Sequence, residues 1–477
     1  MDLTDPAVRC DLVGRLAGLY AGGPVILGPG VLAAFTSKVA ELRGHGCRVL
    51  VLSTARGAGP VPAPDECTVV ELETPVTRLV TDELRLIDHL AHHLPEHAVA
   101  AIERFDPAGE AVWNAGHFVT SDEPILGRRV VGGRPAAYLR MEDKLFAEEV
   151  WAACNVPTAP HRVVPVEEVA LAEATSALAG PLGAVWTGDT RDGFHGAGNY
   201  VRWVLDQEDR AIAQSFFALH CDRVRVMPFL DGVPCSIHGT VLPDGTAAFR
   251  PVELAIMRGT ERRFVFGGQG STWDPPEDDR AQMRDLVRRT GEHLRDRVGY
   301  RGAFGIDGVL TRDGFRPTEL NSRAPGGLMT LASGVDPGAF KLLQLTLLSG
   351  RDPRVTVEEL EAWAVPAMDA GRVTKAVAMG ERRVVDQSVD IPVVWDGSGL
   401  RRALDDEANG RVLVGPSAVG IFSKLAGDVL ARGDRIGHLN SALLGFLDEE
   451  LDAGFGPVEA APDVRATAPA VHGRPFA

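Results

Sequence analysis

The sequence predicts an α/β protein of several domains, and its opening segment gives the first evidence. Residues 22–53, "GGPVILGPGVLAAFTSKVAELRGHGCRVLVLS", have the pattern of a strand, a glycine turn, an amphipathic helix and a second strand. Helical and strand-like segments continue to alternate beyond residue 140. The 477 residues are also too many for one ordinary hydrophobic core, which predicts more than one domain.

Composition limits the classes of function. The chain is 45% hydrophobic and 24% charged, an ordinary globular mixture, and its formal net charge is -16. This negative charge argues against nucleic acid or an anionic membrane as the main partner, because both attract basic surfaces. The sequence shows no signal-peptide pattern and no long apolar run. We therefore expect a soluble, cytoplasmic protein whose six scattered cysteines are reduced.

The N-terminal segment "GPGVLA" matches the glycine pattern of dinucleotide-binding domains. Such domains carry an acidic residue about 20 residues further on, whereas this chain has "LSTAR", ending at Arg56. Two interpretations follow: a dinucleotide site in which Arg56 contacts a 2'-phosphate, or a tight strand-to-helix turn without a ligand. The missing acid favours the turn. The basic, Gly/Pro-rich "LGRRVVGGRPAAYLR" then breaks the pattern and places the end of this domain near residue 135.

Shifts in pattern divide the rest of the chain. The segment Ala255 to Trp273 is predicted to be a long irregular loop, and the Pro/Ala-rich end of the chain lacks periodicity and is predicted to be disordered. The predicted regions are an N-terminal α/β domain (1–135), a central region (136–350, with lobes of about 136–226 and 227–350), a C-terminal domain (351–455) and a tail (456–477).

The segment "RGAFGIDGVLTRDGFRPTELNSR" predicts a β-hairpin with a polar face. A three-residue loop over Arg312, Asp313 and Gly314 would place Asp307 opposite Glu319, with their Cβ atoms roughly 4.5 to 5.5 Å apart. Small residues, Gly305 and Ala303, would then face Asn321 and Arg323 and leave space beside them. A shift of one residue in the register would send Asp307 to the opposite face of the sheet from Glu319.

Two close carboxylates repel each other unless a cation lies between them. Asp307, Glu319 and the amide of Asn321 are hard oxygen ligands suited to Mg²⁺ or Mn²⁺ shared with phosphate, and Arg323 could bind that phosphate. The alternative is a solvated sheet edge with an Arg-Glu surface pair. The small residues opposite and the apolar reverse face favour the metal site.

The spacing of Asp307 and "ELNSR" resembles the metal-binding row of the ATP-grasp superfamily, and the resemblance covers about residues 136–350. "MEDKLFAEEVWAACNVPTAP" is similar to the helix that carries a phosphate-binding lysine, here Lys144. "VMPFLDG" is similar to the hinge that holds adenine through the Pro228 carbonyl and the Leu230 amide, on either side of Phe229. "TGDTRDGFHGAGN" resembles the glycine-rich lid. The resemblance implies an ATP-grasp fold with an N-terminal Rossmann-like α/β domain and a C-terminal extension.

The chain departs from the superfamily pattern in two places, one of which is Met227, where an acidic residue often precedes the hinge. A second lysine is usual before the lid, where this chain has Trp186 and Thr187. Arg191 or His195 in the lid could supply the missing charge, and the equal alternative is that both are solvated loop residues. The departures concern the contacts to the nucleotide and leave the predicted metal row unchanged.

The resemblance implies ATP- and Mg²⁺-dependent formation of an amide between a carboxylate and an amine, through an acyl phosphate. Arg258, with Arg262 and Arg263, could hold that acyl phosphate. The most similar group is the peptide ligases of antibiotic and other natural-product biosynthesis, of the pheganomycin type, which join a small guanidino amino acid to a peptide amine. Alternatives are a biotin-carboxylase-like enzyme, a dinucleotide-dependent oxidoreductase and a nucleotide-binding interaction protein without catalysis. A homodimer is expected.

Overall fold

The computed structural model describes residues 1–75, 77, 79–259, 262–417 and 419–465. The N-terminal part contains a five-stranded parallel sheet in the order β3-β2-β1-β4-β5, as expected for a Rossmann-like domain. Its elements are α1 (Pro6–Ala17), β1 (Pro24–Val31), α2 (Leu32–Gly44), β2 (Arg48–Ala55), β3 (Thr68–Glu71), α3 (Val80–His92), α4 (Glu96–Phe105), β4 (Val112–Thr120) and β5 (Val130–Arg134).

The glycine segment between β1 and α2 is a packing feature. A methyl group added at Gly30 would lie 2.9 Å from Cζ of Phe35, so the α2 side chain fills the space over this glycine. The carbonyl of Gly28 accepts a hydrogen bond from Nε1 of Trp113 at 2.9 Å. A dinucleotide site would need this space free for the pyrophosphate. The contacts therefore agree with the turn interpretation of "GPGVLA".

A smaller lobe follows, built on a four-stranded antiparallel sheet in the order β6-β9-β7-β8. Trp186, Phe217 and Val226 lie in its buried core, between the sheet and its helices. A short 3-10 helix, Arg140–Glu142, precedes the lobe. The other elements are α5 (Ala136–Leu139), α6 (Ala147–Ala153), β6 (Arg162–Pro165), α7 (Glu168–Leu178), β7 (Ala184–Gly188), β8 (Val201–Val204), α8 (Gln207–His220) and β9 (Arg223–Pro228).

The remaining strands form one 12-stranded sheet whose main path is β15-β14-β10-β12-β13-β16-β20-β19-β17-β18. The elements are β10 (Val233–Leu242), β11 (Gly245–Ala248), β12 (Val252–Gly259), β13 (Phe264–Gly270), α9 (Glu277–Val298), β14 (Gly302–Thr311), β15 (Gly314–Asn321), α10 (Gly326–Ser333), α11 (Pro337–Leu348), α12 (Val357–Ala370), β16 (Thr374–Gly380), β17 (Val389–Trp395), β18 (Leu400–Arg402), β19 (Gly410–Pro416), β20 (Ile421–Ala426), α13 (Ile436–Leu451) and β21 (Val458–Glu459).

Two predictions about this region are wrong. The predicted loop Ala255 to Trp273 forms most of β12 and β13, because its side chains pack on the central sheet despite their mixed composition. The predicted disordered tail is packed as far as residue 465: β21 pairs with β12, and Trp273 Nε1 donates to Asp463 at 3.0 Å. Residues 466–477 lie outside the described residues.

The large sheet also continues into the C-terminal part of the chain, because β16 pairs with β13. The domain boundaries therefore stay predictions. The sheet contains strands from both sides of residue 350, the predicted start of the C-terminal domain, so it brings residues of the two regions together. Among the described residues, no helix is long and apolar enough to cross a membrane.

Candidate active site

The polar hairpin forms with the predicted pairing but by another route. Asp307 pairs with Glu319 and Gly305 with Asn321, as predicted. The predicted three-residue loop is wrong: Thr311 pairs with Gly314, so only two residues form the turn. A β-bulge at Thr318 adds the residue that the turn lacks, and the register returns to the predicted one before Glu319.

The row extends across a third strand, because Ser236 on β10 pairs with Asp307. Nδ2 of Asn321 donates to Oδ2 of Asp307 at 2.9 Å. Burial and the nearby charge of Glu319 raise the pKa of Asp307 to about 6, although hydrogen bonds from Ser236 and Asn321 act in the opposite direction. Burial is the larger cause, and a cation bound at the row would offset both the burial of Asp307 and its repulsion by Glu319.

Two cationic side chains flank the carboxylates. Nζ of Lys144 lies 2.8 Å from Oε1 of Glu319, and the lysine is only 4% exposed. Arg323 and Arg134 both contact Oε2 of the buried Glu142 at 2.7 Å. Burial opposes the ionisation of Glu142, but the two guanidinium groups outweigh it and hold its pKa below the ordinary value. The ion pair with Glu142 therefore holds Arg323 in place. Glu142 was not identified as a site residue from the sequence.

The row opens into a cavity of about 520 Å³ that is enclosed by the large sheet, the small lobe and part of the N-terminal domain. Lys144, Asp307, Glu319, Asn321 and Arg323 all line it. The hinge residues Pro228, Phe229 and Leu230 and the glycine-rich segment 196–198 line it as well. The structure therefore brings together the residues predicted to hold the metal, the lysine predicted to bind phosphate and the predicted hinge.

The hinge is built around an aromatic cluster. Phe229, Trp203 and Phe264 are mutually in contact: the Phe229 ring centroid lies 4.6 Å from that of Trp203 and 6.0 Å from that of Phe264, and the last two are 5.9 Å apart. The N–H of Phe229 donates to the carbonyl of Gly183 at 3.0 Å, which fixes the strand end. Phe229 and Phe264 line the cavity and give it an apolar, aromatic surface, of the kind that suits a planar heterocycle.

Arg258 lies at this hinge end. Its guanidinium stacks 4.8 Å from the Phe229 ring centroid and donates to Asp231 at 2.7 Å. Arg262 pairs with Asp206 and Asp209, and Arg263 donates to the carbonyl of Phe455. Arg258 lies on β12, and Arg262 and Arg263 lie between β12 and β13. In this conformation the three arginines do not form a cluster at the metal row.

The two lid residues have protein partners of their own. Arg191 contacts Asp192, Asp222 and the carbonyls of Leu219 and Cys221. His195 is buried and stacks on Tyr200 at 4.3 Å. Burial and the charge of Lys144 lower its pKa to about 3, so it is neutral at pH 7. Neither arrangement resembles a free cation placed for a phosphate.

A buried arginine instead adjoins the departure at β7. Trp186 faces the lobe core, whereas its neighbour Thr187 lines the cavity and pairs with Arg225 on β9. Arg225 donates to Glu148 at 2.6 Å and to the carbonyl of Thr318, the bulge residue, at 2.9 Å. The sequence contains a signal for Arg225, because this charged residue stands between two valines in the strand "RVRVMP", and the structure shows that its side chain is buried.

Further lining residues had no sequence signal. His117 and Phe118 come from β4, and Lys375 comes from β16 in the C-terminal part. Their distance along the chain from the hairpin hides their proximity in space. Ser236 and His238 did have a signal, since they are polar residues at alternate positions of a strand that is otherwise apolar.

The residues present fit a divalent cation shared with a ligand. Asp307, Glu319 and Asn321 supply hard oxygen donors, and the raised pKa of Asp307 reflects charge that a cation would compensate. The described residues contain no cluster of three or more His, Cys, Asp or Glu side chains placed to hold a metal. A cation at this row would therefore need ligands from a bound molecule as well.

The sequence matches no protein-family model and no curated protein. The fold is similar to solved structures that include the biotin carboxylase domain of Hydrogenobacter thermophilus 2-oxoglutarate carboxylase, with a TM-score of 0.51 and 12% identity over 85% of this chain and 86% of that chain. Another is carboxyaminoimidazole ribonucleotide synthase of Aspergillus clavatus, with a TM-score of 0.50 and 13% identity over 90% of this chain and 97% of that chain. The chain has the ATP-grasp fold.

Proposed function

We propose that this protein is an ATP-dependent ligase that joins a carboxylate to an amine through an acyl phosphate, with Mg²⁺ as cofactor. One observation carries the proposal: Asp307 and Glu319, from neighbouring strands, converge on the cavity that Lys144 and the hinge also line. Both similar structures come from proteins with ATP or ADP bound, as their names state, and the fold is shared with them.

Each residue group has a proposed task. Pro228, Phe229 and Leu230 bind the adenine. Lys144 leaves its ion pair with Glu319 when ATP binds and contacts the phosphates instead. Asp307, Glu319 and Asn321 hold Mg²⁺, which would draw the phosphate oxygens together and neutralise charge during phosphoryl transfer. Arg323, oriented by Glu142, stabilises the transferred phosphoryl group. Arg191 and His195 remain candidates for phosphate contacts, and Arg258 for the acyl phosphate, only in a conformation in which the lid has moved.

The proposed reaction has two steps. A carboxylate oxygen attacks the γ-phosphorus, and the bond to the ADP oxygen breaks. The amine nitrogen then attacks the acyl carbon, phosphate leaves, and the nitrogen loses a proton. The protein contributes mainly position and charge, because phosphoryl transfer needs little covalent help from side chains. Segment 196–198, which covers the cavity, excludes water that would hydrolyse the acyl phosphate.

The finer proposal is a peptide ligase of natural-product biosynthesis that acts on a small or modified amino acid and an amino acid or peptide amine. It rests on the sequence resemblance. A homodimer is part of the same proposal.

The test is an assay of ADP and phosphate release with ATP, Mg²⁺ and a panel of acids, with and without amines. Release that requires both an acid and an amine supports ligation, and mass spectrometry should detect the amide. Release that depends on bicarbonate would contradict it in favour of carboxylation. ATP binding without turnover under every condition would favour a non-catalytic binding protein.

A further inference from the structure

One side of the cavity is apolar, and the ligase proposal gives this side no task. Five apolar side chains from four strands line it, and we call them the apolar wall: Ile256, Phe266, Val377, Met379 and Phe422. Ile256 pairs with Phe266, and Met379 pairs with Phe422. All except Val377 are only half-buried, so they present apolar surface to the cavity.

A single lysine stands at one end of this wall. Lys375, Val377 and Met379 alternate on β16 and all line the cavity, so they share one face of the strand. Lys375 pairs with Gln269, whose side chain donates to Thr330 on α10. The Lys375 side chain is exposed on this face, and partial loss of solvation followed by the charge of Lys424 lowers its pKa. Within the part of the chain that the structure describes, no carboxylate forms an ion pair with Lys375.

The lysine end of the wall lies toward Arg323. Gln269, which pairs with Lys375, lies beside Gly326, where an added methyl group would be 3.2 Å from Nε2 of Gln269, and Gly326 follows Arg323 closely in the chain. Arg323 shares its charge with Glu142, whereas Lys375 keeps its own. Lys375 is therefore the cation in this corner that lacks an anion.

The wall carries no charge that would attract a second cation. Among the described residues that line the cavity, Asp307 and Glu319 are the acids, and both belong to the metal row. The five residues from Lys375 to Met379 span roughly 13 Å along an extended strand. A guanidinium or ammonium group placed on this wall would lose water and gain no carboxylate, and stacking on Phe266 or Phe422 would return only part of that cost.

We infer that Lys375 binds the carboxylate of the acid substrate and that the apolar wall holds its body, so that the substrate is a carboxylic acid with an apolar, uncharged side chain. This inference rests on the proposed ligase function and specifies its acid. It differs from a guanidino amino acid, which the sequence resemblance implies. The carboxylate at Lys375 would face Arg323 and the metal row, and the apolar body would point away from them.

Binding of simple acids to the MgADP-loaded protein tests the inference without turnover. We expect affinity, measured by calorimetry, to rise about fourfold per methylene from butanoate to hexanoate, as burial of each CH₂ predicts. 5-Aminopentanoate has the same length as hexanoate and replaces its methyl group by an ammonium group. It should bind at least tenfold more weakly, and 4-guanidinobutanoate should be equally disfavoured.

Three variants locate the two contacts. Lys375→Met should weaken all the acids about tenfold and leave MgADP affinity unchanged. Phe266→Ser should flatten the dependence on chain length while short acids bind as before. Lys341→Met is the matched control, because Lys341 lies on α11 and does not line the cavity; it should leave acid binding within twofold.

Affinity independent of chain length, or hexanoate and 5-aminopentanoate of equal affinity, would overturn the inference. Equal losses in Lys375→Met and Lys341→Met would do the same, because they would show that the overall positive charge of the protein, and not a contact with Lys375, attracts the acids. Failure of every acid to bind, with amine-dependent ADP release intact, would overturn the inference and leave the ligase proposal standing. Failure to bind MgADP would instead count against the ligase proposal itself.

Discussion

Asp307 is predicted to bind a metal, but its buried carboxylate lowers the free energy of unfolding of the protein. Its pKa is raised to about 6 by burial and by Glu319, so the folded protein resists its ionisation. The unfolded chain ionises near the ordinary pKa of about 3.9. Between these two values the folded state binds more protons than the unfolded state, so stability falls as pH rises through this window. Above pH 6 the full penalty remains until a cation is bound.

We therefore predict that Asp307→Asn is more stable than the natural protein at pH 7.5 in EDTA, and that the difference disappears near pH 4. Denaturant unfolding at both pH values measures it. Asp313→Asn, in the exposed hairpin turn, is the control and should show no such dependence. Mg²⁺ with ADP should stabilise the natural protein and not Asp307→Asn. A difference that is independent of pH would contradict the electrostatic cause.

Lys144 and Glu319 form a pair that a nucleotide should separate. We expect Lys144→Met to weaken MgATP binding by about tenfold to hundredfold, since a charge-assisted contact contributes roughly 1.5–3 kcal/mol. Titration calorimetry measures the change. Lys38→Met, which removes a surface contact to Glu41 in the N-terminal domain, is the control. Equal affinities for the two variants would exclude Lys144 from the phosphate site.

At the scale of elements, the hairpin shows why the sequence predicted the correct pairing through a wrong turn. Pairing is restricted by which residues face the core, and Ile306 opposite Leu320 satisfies that requirement. Two turn lengths can meet it if a bulge absorbs the difference. The bulge at Thr318 depends on contacts to Arg225, which comes from another lobe. No local pattern reveals such a contact.

Gly308 is where the bulge is most sensitive. A methyl group there would lie 2.3 Å from the carbonyl oxygen of Arg316, a backbone atom that cannot move freely. We predict that Gly308→Ala lowers the free energy of unfolding by about 1–3 kcal/mol and removes Mg²⁺-dependent activity. Gly445→Ala, which meets open space in α13, should not destabilise the protein. If Gly308→Ala kept full activity, the bulge would not position Glu319.

The lid segment is held on the N-terminal domain by a small set of polar contacts. Arg85 on α3 donates to the carbonyls of Gly193 and Phe194, and Thr81 donates to Asn199. We predict that Arg85→Ala increases hydrogen exchange in residues 191–200 and raises the KM for ATP, because the covering segment is released. Arg48→Ala, beside Phe105, is the control. Unchanged exchange in Arg85→Ala would show that other contacts hold the lid.

For the whole molecule, the sequence predicted what is encoded locally and missed what depends on tertiary packing. The strand–helix–strand opening and the motif order around Lys144, Pro228 and Asp307 were sufficient for the fold class. The contribution of Lys375 was not predictable, because it depends on β16 pairing with β13 across about a hundred residues of chain. The packed segment 458–465 was missed for the same reason, since its partners lie on β12 and near α9.

A crystal structure with Mn²⁺ and ADP, using anomalous scattering to locate the metal, is the most direct measurement of the shared cation site. The convergence of the two strands predicts an anomalous peak bridging Asp307, Glu319 and the ADP phosphates, with Lys144 moved from Glu319 onto the nucleotide. A nucleotide bound with its metal elsewhere, or with Lys144 still paired to Glu319, would contradict the proposed site.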